Sequence, residues 1–328
     1  MKKENGNNKQ PPLLLTSHEE NYEKQSFYRF LENRYRTTSI PILCNKRILA
    51  STHEGWVVLV HSSNNDCCLW NPVSMEIIEL PRLDKSYLYN KCILSKPPTE
   101  PDCHILFNSA CTMHQSFCKI GDDEFVHHST EEEEIQLMAI ASVQGKIYGV
   151  RKFYGIIDDY DDHYTFVTIN LLATSTIELK PLLLCGGQPW TVPQPSPNWV
   201  TWNESCLIES PCGGELLLVN KMYSSSNDND GLGFRVFRVD INGMVCSELE
   251  NIGEQTIFIG YYGSGFCGSS YGRIKPNSIY YTNEEGRNLS IYCLDDWSKT
   301  SFLPSTAVGR YVTLTYWVEH ELIDQLIE

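Results

Sequence analysis

Short apolar runs, separated by turn residues, recur along most of the chain. The stretch "THEGWVVLVHSSNNDCCLWNPVSMEIIELP" (52–81) contains three such runs. Gly55 precedes the first run, Pro72 follows the second and Pro81 follows the third. Because proline cannot donate a hydrogen bond to a β-ladder, both prolines fit the ends of strands. The stretch therefore predicts three consecutive short strands.

The same pattern continues downstream in a series of short candidate strands. The segments that contain them are "KCILS", "CHILFN", "SFCKI", "EFVHH", "IQLMAIASVQGKIYGV", "YTFVTINL", "STIELKPL", "SCLIES", "GGELLLVNKM", "FRVFRVDINGMVCSEL", "QTIFIGYYG", "NSIYYTNEEG", "LSIYCLD" and "KTSFLP". The residues 241–243, Ile-Asn-Gly, read as a hairpin turn between two of them. In a weak internal repeat, a small turn residue precedes each inner apolar strand, and these residues are Gly55, Gly145, Gly214 and Asn277.

Chain length separates the all-β architectures that fit this pattern. Many short strands with turns every 8–12 residues, roughly, are typical of a sandwich, a barrel or a propeller. A single sandwich closes near about 100 residues, whereas propeller blades of about 40–50 residues fill a much longer chain. For a chain of 328 residues, we predict an all-β β-propeller of short four-stranded antiparallel blades, about six to seven in number. Residues 1–25 are predicted to be a flexible leader, 26–320 the propeller and 321–328 a C-terminal tail.

The charge balance narrows the choice of partners. Lys and Arg number 26 against 41 Asp and Glu, which gives a net charge of −15. Nucleic-acid binding needs a basic footprint, and adsorption to anionic lipid needs basic residues too. We therefore expect neither nucleic acid nor membrane as a partner, and a protein partner with basic character fits better.

The chain has no apolar stretch long enough for a secretory signal or a membrane span. Thirteen cysteines in a long chain are better read as reduced, buried thiols than as a disulfide framework. These features predict a cytoplasmic or nuclear protein. Cys67 and Cys68 are neighbours in a predicted strand, so they should face opposite sides of the sheet.

An ordered set of motifs carries a family resemblance. The matching segments are "HEGWVVLV", "LWNPVSMEIIELP", "FCKIGDDEFVHH", "VQGKIYGV", "LIESPCGGELLLVNK", "FRVFRVDINGMVCSELENIGEQTIFIG" and "GRIKPNSIYYTNE". In their order, over roughly residues 27 to 320, they resemble the plant F-box-associated KIB-type β-propeller domain, a domain of unknown function. The resemblance implies a propeller that serves as a protein-binding surface, as in the recognition of substrates for ubiquitination.

The chain departs from that family at its N-terminal end. Family members commonly carry an F-box that docks the adaptor of a cullin-type ubiquitin ligase. Residues 1–40 offer only "PPLLL" and "SFYRFL", so adaptor binding is not carried over. Besides a non-enzymatic interaction module, two alternatives remain open: a degenerate F-box subunit of such a ligase, and a propeller that binds a small molecule or catalyses a reaction.

Candidate chemistry along the chain is sparse. Cys111, His114 and Cys118 in "CTMHQSFC" lack the paired spacing of a structural zinc site. The Gly-rich "GYYGSGFCGSSYG" (260–272) lacks a phosphate-binding frame and is predicted to be a flexible inter-strand loop. The acidic "TEEEEI" and "DDYDDH" lack the spacing of a calcium loop and fit solvated loops. We therefore predict no catalytic residue, no metal site and no cofactor.

One loop is a candidate for binding a partner. Trp190, Trp199 and Trp202 lie in "GGQPWTVPQPSPNWVTWNE" among four prolines. Proline limits the entropy lost on ordering, and exposed tryptophans are frequent anchors of protein interfaces. The alternative is that these tryptophans pack between blades.

Overall fold

The computed structural model describes residues 13–18, 22–29, 32, 34–52, 55–83, 91–109, 113–129, 135–153, 163–172, 176–184, 187–193, 199–201, 205–210, 215–224, 232–260, 265–270, 272, 274–282, 289–302 and 312–318. These residues form strands throughout, apart from turns and one single-turn 3₁₀ helix, Pro41–Leu43. The all-β propeller prediction is confirmed. No helix in this part of the chain is long and apolar enough to cross a membrane.

The described strands group into six sheets, which are the blades of the propeller. Blade 1 consists of β1 (Leu13–His18), β2 (Lys24–Arg29), β3 (Arg34–Thr38) and the last strand, β26 (Val312–Val318). Blade 2 consists of β4 (Lys46–Ser51), β5 (Val57–His61), β6 (Cys67–Trp70) and β7 (Ile77–Leu80). Blade 3 consists of β8 (Lys91–Leu94), β9 (His104–Asn108), β10 (His114–Lys119) and β11 (Val126–Ser129).

The second half of the ring contains the longest strands, which lie in blades 4 and 5. Blade 4 consists of β12 (Ile135–Val143), β13 (Lys146–Phe153), β14 (His163–Leu172) and β15 (Thr176–Pro181). Blade 5 consists of β16 (Trp199–Thr201), β17 (Cys206–Glu209), β18 (Leu216–Ser224), β19 (Leu232–Asp240) and β20 (Val245–Leu249). Blade 6 consists of β21 (Gln255–Ile259), β22 (Gly265–Ser269), β23 (Ser278–Thr282), β24 (Leu289–Cys293) and β25 (Lys299–Phe302).

Two blades depart from four antiparallel strands. In blade 5, β16 and β17 both pair with β18, on the side opposite to β19, so two short strands share the inner edge of that blade. In blade 6 the spatial order is β22-β21-β23-β24-β25, and β21 runs parallel to β23. The hairpin of β21 and β22 thus adds a strand at the inner edge of that blade.

Six apolar clusters hold the ring together, and each lies between two successive blades. Typical members, in order from the cluster between blades 1 and 2 to that between blades 6 and 1, are Phe27 with Leu59, Val58 with Phe107, Leu106 with Val167, Phe166 with Phe237, Val236 with Ile279, and Phe258 with Tyr28. Burying each such side chain contributes about 1.5–3 kcal/mol. Cys67 belongs to the cluster with blade 3 and Cys68 to the cluster with blade 1, which confirms that they face opposite sides.

The structure corrects two predictions about the outline of the domain. Leu13–His18, within the predicted flexible leader, forms β1 and pairs with both β2 and β26. The prediction of a flexible leader is wrong for this segment, because its backbone forms hydrogen bonds with a strand on each side. Gly265–Ser269, within the predicted Gly-rich loop, forms β22 and pairs with β21. The predicted tail, 321–328, lies outside the described residues.

The small turn residues precede strands other than the innermost strands that were predicted to follow them. Gly55 and Gly145 have φ of 76° and Asn277 has φ of 50°, in the left-handed region that glycine and asparagine tolerate best. The strands that follow them are β5, β13 and β23, which lie second or third from the inner edge rather than innermost. Gly214 lies outside the described residues.

Candidate interaction surface

Trp190 is part of the core, so the prediction that it is an exposed anchor for a partner is wrong. Its side chain is 4% exposed, and its ring stacks at a tilt on Phe166, with centroids 4.4 Å apart. Its backbone N–H donates to Leu182 O at 2.7 Å, and its carbonyl accepts from the Phe166 N–H at 2.9 Å. The loop therefore folds back onto β14, and the indole fills the space between blades 4 and 5.

The other two predicted tryptophans are not brought together with Trp190 by any described contact. Trp199 begins β16, and its backbone pairs with that of Ser224, while its side chain is not among the described ones. Trp202 lies outside the described residues. Their role in a partner-binding loop stays a prediction.

The buried cysteines have the properties of core residues. Burial raises the pKa of Cys118 and of Cys206 to about 12 and that of Cys246 to about 11. Such thiols are protonated at neutral pH and are therefore poor nucleophiles and poor metal ligands. Cys118 lies in the core between blades 2 and 3, His114 begins β10, and Cys111 lies outside the described residues. In the described part of the chain, no three His, Cys, Asp or Glu side chains form a group that could hold a metal.

A buried lysine links the inner strands of three blades. Lys91, at the start of β8, is 6% exposed. Its Nζ donates to the carbonyl of Met138 in β12 and, at 2.6 Å, to that of Ser205 just before β17. Nearby, Asn108 Nδ2 donates to Leu137 O at 2.8 Å. These bonds tie blades 3, 4 and 5 together, which gives the lysine a structural role.

The exposed apolar side chains have a distinctive distribution. Because the blades repeat one strand order, the turns that join the two outermost strands emerge at one face of the ring. We call these the outer turns; the described ones are 71–76, 120–125, 241–244 and 294–298. Eight large apolar residues in the described part of the chain are exposed, and five of them lie on or beside these turns: Val73, Met75, Ile77, Val245 and Trp297. Leu172 ends β14, at the same face of the ring. The other two, Leu183 and Leu184, follow the far end of β15.

Three outer turns share a backbone geometry that favours a small residue. Met75, Met244 and Trp297 occupy equivalent positions with φ of 58°, 54° and 57°. The left-handed conformation costs a non-glycine residue about 1–2 kcal/mol. Met244 packs partly against the core, whereas Met75 is 53% and Trp297 75% exposed. In these two turns the backbone conformation favours glycine, yet the position holds a long apolar side chain that is stabilised little by packing.

Side-chain hydrogen bonds fix the outer turn of blade 6 that carries Trp297. Asp296 Oδ1 accepts from the Ser298 hydroxyl at 2.6 Å and from the Ser298 N–H at 3.1 Å. These two bonds, the hydroxyl's first, lower the pKa of Asp296 to about 2. Asp295 Oδ1 accepts from Asn277 Nδ2 at 2.6 Å and from Asn251 Nδ2 at 3.4 Å. The turn is thus held on both sides, with an ionised Asp296 next to Trp297.

Among the described residues, the charged side chains around this turn are four carboxylates and two lysines, Lys275 and Lys299. The exposed carboxylates are those of Asp295, Asp296 and, on the segment bonded to the turn, Glu250 and Glu254. The pKa of Lys275 is raised, chiefly by a hydrogen bond with Cys293 and also by the charges of Asp296 and Asp295. An exposed indole beside carboxylates is suited to binding a cation through both the ring face and the carboxylates.

The fold and the ring of interblade cores define a β-propeller protein. The sequence profile of the KIB1-4 beta-propeller family matches residues 27–294. The chain therefore belongs to that family. No curated protein matches it.

Solved structures resemble the chain only distantly. A hydrazine synthase from Kuenenia stuttgartiensis is 8% identical with a TM-score of 0.38, over 88% of this chain and 91% of that one. A functionally unknown protein from Desulfotomaculum acetoxidans is 10% identical with a TM-score of 0.36, over 94% and 89%. An alpha-L-arabinofuranosidase from Lactobacillus brevis is 13% identical with a TM-score of 0.34, over 83% and 95%. Similarities this low carry no argument about function.

Proposed function

We propose that this chain is a non-enzymatic protein-interaction module that docks a partner protein on the face formed by its outer turns. The observation that carries the proposal is the number of exposed apolar side chains there, with Met75 and Trp297 in the left-handed backbone conformation. A partner that covers these side chains removes apolar surface from water. The role would match substrate recognition by the propellers of F-box relatives.

The charge of the chain supports a basic partner. The net charge of −15 would draw a basic protein toward the surface and would repel nucleic acid and anionic membranes. The ten described cysteines are free thiols, which supports a role in the reducing cytoplasm or nucleus. Binding of a ubiquitin-ligase adaptor stays a prediction.

The test compares two pairs of exposed apolar residues on opposite faces. Tagged wild type, the outer-turn variant Met75→Ser with Trp297→Ser, and the control Leu183→Ser with Leu184→Ser are used for cross-linking and mass spectrometry in the native tissue. We expect the cross-linked protein set to be lost in the outer-turn variant and kept in the control. Thermal unfolding of all three checks that they are folded.

The opposite pattern would overturn the proposal. If the outer-turn variant keeps its partners, or if only the control loses them, then the partner docks elsewhere on the ring. Because all four residues are exposed, replacing them should change the free energy of unfolding by less than about 0.5 kcal/mol each.

A further inference from the structure

We propose that Trp297, with the carboxylates of Asp295 and Asp296, binds an arginine side chain of the partner protein. This inference rests on the proposed function and gives it a specific contact. It names the outer turn of blade 6 as the anchor point and an arginine-containing, basic segment as the occupant.

The exposure and the backbone of Trp297 support a binding role. The side chain is 75% exposed, so its contribution to the core is small, and φ of 57° places it where glycine would relieve strain. Residues held in unfavourable backbone conformations by their surroundings are frequent at ligand-binding sites. The Ser298 and Asn277 hydrogen bonds described above supply those surroundings. The backbone position from which the indole projects is therefore fixed before a partner arrives.

The chemistry next to the indole favours arginine over other side chains. A guanidinium group stacks on an aromatic face and at the same time donates two parallel hydrogen bonds to a carboxylate. Tryptophan is the best of the aromatic residues for such a cation–π contact. A lysine ammonium is a compact, strongly hydrated charge and cannot make both contacts in this manner.

The charge of Lys275 leads to a second prediction, in which a substitution strengthens the binding of arginine instead of weakening it. Lys275 lies two residues before Asn277, whose side chain donates to Asp295, and the charges of Asp296 and Asp295 act on its ammonium group. That ammonium group therefore competes with an incoming guanidinium. Removing that charge should strengthen the binding of arginine, whereas removing the indole should weaken it. A surface that merely attracts cations through the net charge of the protein would respond to the first change but not to the second.

The experiment measures the binding of short labelled peptides by fluorescence anisotropy. The probes are fluorescein-labelled heptapeptides of Gly and Ser with a central pair of Arg, Lys or citrulline residues. We expect the Arg peptide to bind most tightly and the citrulline peptide least. Trp297→Ala should weaken Arg binding about tenfold and Trp297→Phe by less, since truncating an interface anchor costs more than about 1 kcal/mol. Lys275→Gln should strengthen Arg binding about two- to fivefold, as expected for one surface charge.

The control variants separate this anchor from general attraction. Asp122→Asn removes one carboxylate from the outer turn of blade 3, and Leu183→Ser removes an exposed apolar side chain beyond the far end of β15, away from the outer turns; neither should change Arg binding. Equal binding of the citrulline peptide, or unchanged binding by Trp297→Ala, overturns the inference. If the cross-linked partners are lost in Met75→Ser alone and kept in Trp297→Ala, the anchor fails while the proposed function stands. If neither change affects those partners, both fail.

Discussion

Replacing Trp190 by alanine tests whether this tryptophan belongs to the core rather than to an interface. The side chain is 4% exposed and packs on Phe166 between blades 4 and 5, so truncation removes almost the whole indole from the core. Changes from Trp to Ala in cores cost about 3–5 kcal/mol, and the lost aromatic pair alone is worth about 0.5–1.5 kcal/mol. We expect Trp190→Ala to lower the free energy of unfolding by about 3–5 kcal/mol.

The measurement is denaturant unfolding followed by far-ultraviolet circular dichroism, because tryptophan fluorescence would change with the substitution itself. Trp190→Phe keeps a ring against Phe166 and should cost less than Trp190→Ala. Trp297→Ala is the matched control: since its side chain is 75% exposed, it should change the free energy of unfolding by less than about 0.5 kcal/mol. A loss below about 1 kcal/mol for Trp190→Ala, or equal losses at both sites, would refute this assignment.

Three further predictions concern packing, thiol reactivity and pH. A Cβ on Gly265 would lie 2.7 Å from Ile208 Cδ1, so Gly265→Ala should destabilise the protein by about 1–3 kcal/mol. Because Ile208→Val removes that atom, adding it should recover part of the lost stability in a double-mutant cycle. Strictly additive effects of the two substitutions would contradict the contact. The thiols of Cys118 and Cys206 have pKa values of about 12, so they should react with iodoacetamide at about pH 8 only after the protein unfolds. Mass spectrometry measures the alkylation, and fast alkylation of the native protein would contradict the burial of these thiols. The pKa of Asp296 is lowered from 3.8 to about 2 on folding, so the ionised carboxylate should stabilise the fold above about pH 4 and lose this effect as the pH falls to about 2. The free energies of unfolding of Asp296→Asn and of the wild type should therefore differ at about pH 6 and converge at about pH 2. A difference that does not depend on pH would contradict this prediction.

Local patterns predicted the strands that alternate in burial and end at turn residues. The stretch 52–81 is the clearest case, because Gly55, Pro72 and Pro81 delimit β5, β6 and β7 as predicted. Here the information is local: strand propensity, turn chemistry and proline all agree. The opposite orientation of Cys67 and Cys68 followed from the same two-residue period.

Strands that depend on distant partners were missed. β22 is rich in glycine and serine, which have low strand propensity, and it forms because β21 offers an edge and Gly265 allows a close approach to Ile208. β1 was missed because its second partner, β26, comes from the other end of the described chain. No window of neighbouring residues contains that information.

The same limit explains the tryptophans. Prolines around Trp190 indicated a presented loop, but the return of that loop to Phe166 is a tertiary contact that local sequence does not show. Trp297 was overlooked although a signal was present. It lies in "LDDWSK" between aspartates and a serine, a typical hairpin-turn composition, and a large aromatic residue in such a turn should be expected to project into solvent.

The pairing of β1 with β26 has a consequence for biosynthesis. A chain made from its N-terminus produces β1, β2 and β3 first, and the inner edge of this sheet stays unpaired until β26 has been translated, because Leu13 pairs with Val318. An open strand edge is a template for pairing with other chains, and such transient species are prone to aggregation. The propeller blade that is started first is therefore completed last, and slow translation of the segment that contains β26 would prolong the time for which this edge is open.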